Sequence, residues 1–470
     1  MTHVEWDDHA DVIVIGSGLA GLSAAIEARK HGSTVIVLEK MNVSGGNSRI
    51  SDGGLAAPGT PQQKEAGIQD SPDLFYNDML KAGLYLNHPE LVKIVADRAA
   101  GIIDWTRKLG VRYQERLDRS GGHSVARTLT TKSHSGSEII KALVRKLKQL
   151  KGELRCGSLL TQFISDSSGV IGVRIRSGYR FGVQDSGIVQ HVRADRAVVL
   201  ATGGFSGDIG FRRLQNPLLD DSIGSTNHRG ATAEGLRAVL AIKGAPVHLS
   251  WIQTGPWSCA DEPGYGKGSR FASYSVFPHG IIVDPASGCR VLNEWGDRRE
   301  RSEAIITCGH PCIGIVDAAG AQADSESLVH CVKKGKVKKF DTIAGLAKAY
   351  NMPVNRLENE IGKYNRMIED KVTDKFGKSL GDGAKKLVDL PFYSIRLWPK
   401  VHHTPGGVAI DEHARVLDLY GTPIGRLFAA GEVSGGVNGA SRLGSCALPE
   451  CLIFGRIAGK EAALLPTYLS

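Results

Sequence analysis

The chain has 470 residues and a formal net charge of +9, with 41% hydrophobic residues, 23% charged residues and 58 glycines. This length is too great for one ordinary core, and the composition is that of a soluble globular protein with two or three domains. The basic balance suits an anionic small molecule or nucleic acid. The one dense basic run, at residues 333–339, contains no aromatic residue, so we predict a solvated face there and no nucleic-acid partner.

The eight cysteines are scattered, and the close pairs among them lack CxxC spacing. We therefore predict buried thiols in a reducing compartment, and neither a disulfide framework nor a metal or haem site. The N-terminal segment is acidic and polar, unlike a signal peptide. No apolar run approaches the ~20 residues that cross a bilayer. We expect a cytoplasmic protein without a membrane partner.

The predicted elements begin with an apolar, β-branched run at residues 11–15, which is typical of a buried parallel strand. The glycine-rich turn GSGLAG follows at residues 16–21, and apolar residues at helical spacing continue from it towards Gly32. A second apolar run at residues 34–38 predicts the next strand, which ends at Glu39. Together these elements indicate a dinucleotide-binding unit, which by itself does not separate FAD from NAD.

Each part of this unit has a physical role in binding a diphosphate. Gly16 permits the tight turn, Gly18 lets the backbone approach the pyrophosphate, and Gly21 lets the helix pack closely on the strand. The N–H groups at the helix start face the phosphates. The carboxylate of Glu39 is placed to accept hydrogen bonds from ribose hydroxyls.

Further glycine-rich loops follow along the chain. The first, SGGNSRISDGG at residues 44–54, can lay backbone N–H groups along an extended cofactor. A strand that runs into a glycine turn occurs at residues 197–205 and again at residues 425–433, where it leads into GGVNGASRLGS at residues 435–445. These loops favour the longer flavin cofactor.

In this order, the motifs resemble the fumarate reductase and succinate dehydrogenase flavoprotein family, especially its soluble fumarate reductase branch. The resemblance covers nearly the whole chain, including a middle region similar to the family's capping region. The matching segments are GSGLAG with Glu39, GGNS at 45–48, ATGGF at 201–205, TNHRGAT at 226–232, HHTPGG at 402–407, FAAGEV at 428–433, GASRLG at 439–444 and FGRIAG at 454–459.

The resemblance implies an α/β fold in which a split, Rossmann-like FAD-binding domain, at residues 1–244 and 376–470, carries an inserted α+β capping domain at residues 245–375. In membrane-bound members a histidine carries the flavin covalently, whereas this chain has Asn47 and Ser48 in the corresponding loop. We therefore expect non-covalent FAD. The haem and FMN domains of some relatives have no counterpart in the sequence, so we expect a separate, unidentified electron donor.

The resemblance also implies which residues contact the cofactor. They are Gly16, Gly18, Ala20, Gly21, Glu39, Lys40, Gly46, Asn47, Ser48, Gly53, Gly54, Ala201, Thr202, Gly203, Gly431, Glu432, Ser445 and Leu448.

Reduction of an activated C=C bond needs a hydride at one carbon, a proton at the other, and fixed cations around the activating carboxylate or carbonyl. The resemblance implies that Arg442 grips a substrate carboxylate, for which a planar guanidinium is well suited. It also implies a substrate-binding histidine in HHTPGG. We assign this role to His403 rather than His402, because His403 directly precedes Thr404.

The resemblance further implies a proton donor within NEWGDRRERS at residues 293–302, where Arg298 matches the family's arginine. An always-charged arginine is a poor acid on general grounds, so this assignment depends on the resemblance. Arg299 and Arg301 lie close enough to leave the register open, and surface ion pairs are the alternative role for both.

The chain departs from the family pattern on the capping side. Fumarate reductases carry Gln-x-His-Pro-Thr, whose histidine helps hold the second carboxylate, but here QTGPW at residues 253–257 places Gly255 at that position and adds Trp257. Tyr274 and Phe277 stand where a proton-relay glutamate and arginine are expected, and Tyr274 is a candidate for a different proton route. These changes argue against fumarate and favour a substrate with one carboxylate or carbonyl and an apolar or aromatic tail.

Three functional hypotheses follow. The first is an FAD-dependent reductase of an α,β-unsaturated carboxylic acid or related enone. The second is an FAD-dependent dehydrogenase that desaturates next to a carbonyl, similar to 3-ketosteroid dehydrogenases, which use tyrosines rather than an arginine. The third is a non-catalytic subunit that relays electrons, which would not need a carboxylate-binding arginine.

Overall fold

The computed structural model describes residues 4–378 and 384–468, and the chain divides into two compact units. The first unit comprises residues up to 220, residues 228–253 and residues from 403 onward. The second comprises residues 221–227 and 254–402. Within the described ranges, no helix is both long enough and apolar enough to cross a membrane.

The strands are β1 (Asp8–Ile15), β2 (Val35–Glu39), β3 (Gly54–Ala56), β4 (Tyr113–Asp118), β5 (Thr128–Thr131), β6 (Glu153–Cys156), β7 (Ser158–Asp166), β8 (Gly169–Ser177), β9 (Ile188–Leu200), β10 (Pro246–Val247), β11 (Gln253–Gly255), β12 (Ile281–Asp284), β13 (Cys289–Arg290), β14 (Cys312–Val316), β15 (Val337–Phe340), β16 (Phe392–Leu397), β17 (Lys400–His403), β18 (Gly407–Val408), β19 (Arg415–Leu417) and β20 (Pro423–Ala429).

The α-helices are α1 (Leu19–Lys30), α2 (Gly46–Ile50), α3 (Pro61–Glu65), α4 (Pro72–Ala82), α5 (Pro89–Lys108), α6 (Ser137–Gln149), α7 (Ile209–Gln215), α8 (Glu234–Ala241), α9 (Lys267–Phe271), α10 (Phe277–His279), α11 (Arg298–Thr307), α12 (Ala318–Ala321), α13 (Ser325–Lys333), α14 (Ile343–Ala349), α15 (Val354–Asp370) and α16 (Ala447–Leu464). A π-helical turn spans Ala272–Val276, and a 3-10 turn spans Gln322–Asp324.

The first unit is built on an eight-stranded sheet. Its main path runs β19-β20-β9-β1-β2-β6, and β8 joins β9 and is followed by β7. The central pairs are parallel, with Val12 opposite Val35 and Ile13 opposite Val198. The apolar side chains of β1 and β2 are buried, as expected for strands covered on both faces. The carboxyl ends of the five parallel strands β20, β9, β1, β2 and β6 therefore lie at one edge of the sheet.

Helices α1 and α16 cross closely in the first unit. Gly455 and Gly459 of α16 face the backbone of α1, and a Cβ atom on either would collide with the carbonyl oxygen of Ala20 or Ala24 respectively. This close approach requires glycine at both positions. It fixes α16, and with it the loop that precedes this helix, against the dinucleotide-binding unit.

The second unit contains a five-stranded antiparallel sheet in the order β13-β12-β14-β16-β15. Side chains alternate between its two faces. Ile282 and Ile395 belong to one buried cluster, whereas Ile281 and Ile313 belong to the other. Strands β12, β14 and β16 therefore contribute to both cores, as the two-residue period of a strand requires.

The second unit differs from the predicted capping domain in its boundaries. It begins at residue 254 rather than 245 and extends to residue 402 rather than 375. Strand β16 accounts for the later end, because its residues pair with β14 and β15. The short segment 221–227 also belongs to this unit, since Thr226 N–H donates to the Val401 carbonyl at 2.9 Å.

Candidate active site

A cleft opens in the first unit at the carboxyl ends of its parallel strands. Ile15 and Leu38 line it from β1 and β2, and Ala201 and Ala430 line it just beyond β9 and β20. Ligands of open α/β sheets bind at this edge, where the strand ends and the following loops converge. The cleft is therefore the candidate cofactor site.

Because the glycines of the turn have no side chains, a diphosphate can approach the backbone of the turn closely. Gly16 has a φ of +102°, and a Cβ atom there would collide with the Ala201 carbonyl oxygen. A Cβ atom on Gly21 would collide with the carbonyl oxygen of Gly16. Helix α1 begins at Leu19 after Gly18, which has no side chain to cap it. The helix start thus presents its N–H groups in the way that an anionic phosphate requires.

Glu39 fixes the turn against the following loops. One carboxylate oxygen accepts from Ser17 N–H at 3.0 Å and from Ser17 Oγ at 2.6 Å, and the other accepts from Met41 N–H at 2.9 Å. Ser17 Oγ in turn accepts from Gly45 N–H at 3.1 Å. Glu39 lines the cleft, as its predicted ribose contact requires, and it also holds the turn in shape.

Two predicted cofactor residues, Lys40 and Asn47, form hydrogen bonds between separate segments that line the cleft. Lys40 Nζ donates to Glu234 Oε2 at 2.9 Å and also to Thr232 Oγ1. Asn47 Oδ1 accepts from His228 N–H at 2.8 Å, and Asn47 Nδ2 donates to Glu432 Oε2 at 3.3 Å. The loop around Asn47 is therefore tied to the segment 228–234, which itself lines the cleft.

Glu432 connects the cleft to the HHTPGG segment. Its carboxylate accepts from Thr404 N–H at 3.0 Å, and His403 Nδ1 lies 3.3 Å from Glu432 Oε1. Burial would raise the pKa of Glu432, but the imidazole of His403 and the donors of Thr404 and Asn47 outweigh burial and lower this pKa to about 2. His403 is 5% exposed and lies on the cofactor side of the first unit.

Arg442 lies in a buried polar region of the same unit. Its Nη1 donates to the Leu443 carbonyl at 3.0 Å, and its own carbonyl accepts from Gln253 Nε2 at 3.1 Å. Nearby, Glu450 is fully buried and accepts from Asn438 Nδ2 at 2.7 Å. Burial raises the pKa of Glu450 to about 7, although the Asn438 hydrogen bond and the Arg442 charge act in the opposite direction.

In the second unit, Trp257 brings together two of the candidate residues. The guanidinium of Arg298 lies 4.6 Å from the centroid of the indole ring, and the ring of His402 meets it edge-on at 5.4 Å. His402 Nδ1 is 2.8 Å from Thr226 Oγ1. The predicted proton donor and His402, the first histidine of HHTPGG, thus share one aromatic neighbour.

The neighbouring arginines have other contacts. Arg299 pairs with Glu303 at 2.9 Å on the exposed side of α11, a surface ion pair between i and i+4. Arg301 lies over the ring of Phe277 and donates from Nη1 to the Glu294 carbonyl at 3.0 Å. Burial lowers the pKa of the Arg301 guanidinium to about 10.

Tyr274 lies in the π-helical turn of the second unit. Its ring is covered by the guanidinium of Arg270, 4.9 Å from the centroid. Arg270 in turn pairs with Asp324 at 3.2 Å. These contacts place the ring of Tyr274 beside an ion pair.

Most of the predicted cofactor residues line the cleft, and five do not. Gly21 packs under the turn, and Gly53, Gly54, Ser445 and Leu448 lie outside the lining. Two of these meet in a separate contact between the predicted loops, since a Cβ atom on Gly54 would lie 3.1 Å from Ser445 Oγ.

Several lining residues were not predicted. They are Ile15, Ser17, Leu19, Leu38, Met41, Ser158, Leu159, Leu160, His228, Gly230, Ala231, Thr232, Glu234, Gly235, Ala430 and Cys451. The TNHRGAT motif carried a signal for four of them, because it is among the segments that match the family. The β7 residues carried no comparable signal, since a short apolar stretch does not reveal what its strand lies beside.

The model of the FAD binding domain family matches residues 11–448. The chain is 41% identical to an acrylate reductase flavoprotein subunit of Shewanella woodyi, over 97% of this chain and 92% of that protein. The open conformation of a flavocytochrome c3 fumarate reductase is similar in structure, with a TM-score of 0.81, 32% identity, and coverage of 97% of this chain and 78% of that one.

A 3-ketosteroid-delta4-(5alpha)-dehydrogenase of Rhodococcus jostii also has a similar structure, with a TM-score of 0.77, 22% identity, and coverage of 98% of each chain. At this identity the likeness shows a shared fold alone.

Proposed function

Because the chain belongs to the FAD-binding family of fumarate reductase-like flavoproteins, we propose that it reduces the C=C bond of an α,β-unsaturated carboxylic acid. Its cofactor is FAD, and the glycine turn and cleft of the first unit fit that cofactor. When bound in its reduced form, FAD supplies the hydride. The residues of the chain must then hold the acid, orient it and deliver a proton.

The burial of Arg442, with one of its donors unpaired, is the observation on which this proposal depends. Its side chain is 7% exposed, and its Nε has no hydrogen-bond partner in the part of the chain that the structure describes. A buried guanidinium with an unmade hydrogen bond is costly, and a carboxylate is the acceptor that matches its geometry. We therefore assign the substrate carboxylate to Arg442, a role that an electron-relay subunit would not need.

The two adjacent histidines receive different roles. Neighbouring residues of a strand point to opposite faces, and His403 and His402 are neighbours in β17. His403 lies beside Glu432 of the cofactor cleft, whereas His402 lies with Trp257 and Arg298. We assign the substrate contact to His402 and the cofactor-side contact to His403, which reverses the choice made from the sequence.

Arg298 is our proton donor, supported by its family position and by the contact with Trp257 that it shares with His402. It delivers the proton to the carbon that does not receive the hydride. Arg301 is the competing donor, because burial lowers its pKa to about 10. Its contacts with Phe277 and Glu294 favour a structural role.

The dehydrogenase hypothesis is the second candidate, since the fold is shared with a 3-ketosteroid dehydrogenase. It would require Tyr274 as an acid or base. The ring of Tyr274 is covered by Arg270, which favours a packing role instead. Loss of turnover in Tyr274→Phe but not in Arg298→Gln would support the dehydrogenase and oppose the reductase. The separate electron donor, a cytoplasmic location and the absence of a membrane partner stay predictions.

The test is anaerobic reoxidation of the reduced flavin by acrylate, crotonate, cinnamate, urocanate and fumarate. We expect at least one monocarboxylate to reoxidise the flavin faster than fumarate does. Arg442→Gln should lower kcat/KM for that acid by about a hundredfold, the loss of a charge-assisted contact. Arg299→Gln, which alters only a surface pair, is the matched control. If no acid reoxidises the flavin faster than buffer, the proposal is rejected.

A further inference from the structure

A tight turn folds Trp257 back over Gly255. Ser258 N–H and Oγ both approach the Gly255 carbonyl, at 3.3 and 2.9 Å, and Pro256 occupies the second position, which suits its fixed φ. A Cβ atom on Gly255 would lie 3.2 Å from both Cε2 and Cζ2 of Trp257. The indole therefore already fills the space into which a side chain at residue 255 would extend.

The indole also contacts both candidate residues of the second unit. Arg298 lies over the ring at 4.6 Å, where the ring quadrupole attracts its charge, and His402 meets the ring edge-on at 5.4 Å. Trp257 therefore borders the space in which a substrate would meet Arg298 and His402. The ring limits the size of what can enter there.

Trp257 has a polar atom that the fold leaves unused. The residue is 9% exposed, and its Nε1 has no hydrogen-bond partner within residues 4–378 and 384–468. An indole nitrogen is only a donor, so the missing partner must be an acceptor. Leaving such a donor buried and unpaired is energetically costly. An oxygen atom of a ligand would remove this cost.

The other two tryptophans of the second unit do not share this property. Trp295 Nε1 donates to the Pro278 carbonyl at 3.2 Å, and Trp398 Nε1 donates to the Ser222 carbonyl at 3.3 Å. The fold thus provides acceptors for indole nitrogens where they serve structure. The unpaired donor of Trp257 is a local feature beside Arg298 and His402.

We infer that Trp257 determines substrate specificity: its ring restricts the substrate to a short 2-enoate with one carboxylate, and its indole N–H donates to an oxygen of that substrate. This inference rests on the proposed function. It also changes the expectation of an apolar or aromatic tail, because the space left by the missing side chain at Gly255 is filled by Trp257 itself. Acrylate and its close homologues are the acids that fit these limits.

The donor role is tested with Trp257→Phe, which keeps an aromatic ring and removes the N–H. Binding of propionate, the saturated product of acrylate, is measured on the oxidised holoenzyme from the change in flavin absorbance. We expect the Kd for propionate to rise, and kcat/KM for acrylate to fall, by about tenfold or more. Trp398→Phe, which loses an indole N–H elsewhere in the same unit, should leave both within about twofold. Equal values for wild type and Trp257→Phe would overturn the donor role.

The size limit is tested with Trp257→Leu, normalised to bound flavin. The ratio of kcat/KM for trans-2-pentenoate to that for acrylate should rise by at least about tenfold, since extra methylenes are then accommodated. An unchanged ratio would overturn the size limit. If the wild type reduces no enoate, the proposed function fails by itself. The propionate titrations then decide the inference, because they involve no turnover.

Discussion

Some of the buried polar atoms without partners in the described residues lie among the candidate residues, whereas others, such as Ser23 Oγ and Ser33 Oγ, lie elsewhere. Arg442 Nε and Trp257 Nε1 are donors of this kind, and Glu450 Oε1 is an acceptor, all within the residues that the structure describes. Most buried polar groups in folded proteins are hydrogen-bonded, so each exception needs a cause. A substrate carboxylate is our proposed partner for Arg442 Nε, and a substrate oxygen is our proposed partner for Trp257 Nε1. Protonation removes the charge of the buried Glu450 carboxyl but gives Oε1 no hydrogen-bond partner.

Glu450 makes stability depend on pH. Because burial raises its pKa to about 7 from an ordinary value of 4.5, the folded protein binds this proton more tightly than the unfolded chain. The resulting stability is complete below about pH 4.5 and is lost as the pH rises through 7, by roughly 3 kcal/mol. Glu450→Gln should therefore reduce the fall in the free energy of unfolding between pH 5 and 8, measured by urea denaturation of the holoenzyme.

The matched control for this measurement is Glu303→Gln, which removes an exposed carboxylate paired with Arg299. Its pH profile should follow that of the wild type, since surface pairs contribute little. A Glu450→Gln profile parallel to the wild type would mean that Glu450 does not titrate in this range.

The two histidines of HHTPGG should separate cofactor binding from substrate binding. His402→Ala should raise KM for the enoate by about tenfold and leave the Kd for FAD within about twofold. His403→Ala should weaken FAD binding by a similar factor, because the buried Glu432 carboxylate would lose the imidazole that lies 3.3 Å from it. Both constants are measured on reconstituted protein, KM by flavin reoxidation and Kd by quenching of flavin fluorescence. The opposite pattern would restore the assignment made from the sequence.

Candidate site residues could be chosen from the sequence more easily than the direction in which their side chains point. The resemblance assigned roles to Arg442 and Arg298, and both assignments stay predictions. The choice between His402 and His403 was made on proximity to Thr404, which carries no information about strand alternation. The sequence showed Trp257 as a bulky residue. Only the turn at residues 255–258 shows that the indole fills the space that a side chain at Gly255 would occupy.

Among the helices and strands, those whose apolar residues form a clear local pattern could be predicted from the sequence. The strands predicted at 11–15 and 34–38 correspond to β1 and β2, and the helix between them is α1. The later boundary of the second unit was missed because β16 pairs with strands distant in sequence, and such pairing leaves no local pattern. The π-helical turn at Ala272–Val276 was not predicted either, since sequence patterns do not distinguish it from an α-helix.

The crossing of α1 and α16 gives a prediction at this scale. Gly459→Ala places a methyl group against the Ala24 carbonyl of α1 and should lower the free energy of unfolding by about 1–3 kcal/mol or more. Gly101→Ala in α5 is the matched control, because no atom lies within 4 Å of the position that its added methyl group would occupy, and alanine favours a helix. It should raise stability by up to about 1 kcal/mol. Urea unfolding of both variants measures the contrast, and equal effects would contradict a tight crossing.

At the scale of the whole molecule, the residues that we propose for cofactor binding and for the reaction belong to two separately built units. The first unit holds the FAD cleft and Arg442, whereas the second holds Arg298, His402 and Trp257. The family resemblance predicted this division, including the split of the FAD-binding unit, but composition and periodicity alone did not. The net charge of +9 suits both an FAD diphosphate and an acidic substrate.

Non-covalent binding of FAD, which the resemblance implies, gives a prediction for the whole fold. Asn47 and Ser48 stand where the resemblance implies a histidine in covalent members, both line the cleft, and Asn47 forms hydrogen bonds with His228 and Glu432. Acid precipitation should therefore leave all of the flavin in the supernatant. Because FAD binds the folded chain, removing it should lower Tm, and adding FAD to about 100 times its Kd should restore about 2.7 kcal/mol of stability. Flavin that remains with the precipitated protein would contradict non-covalent binding, and a Tm independent of FAD would contradict the assignment of the cleft.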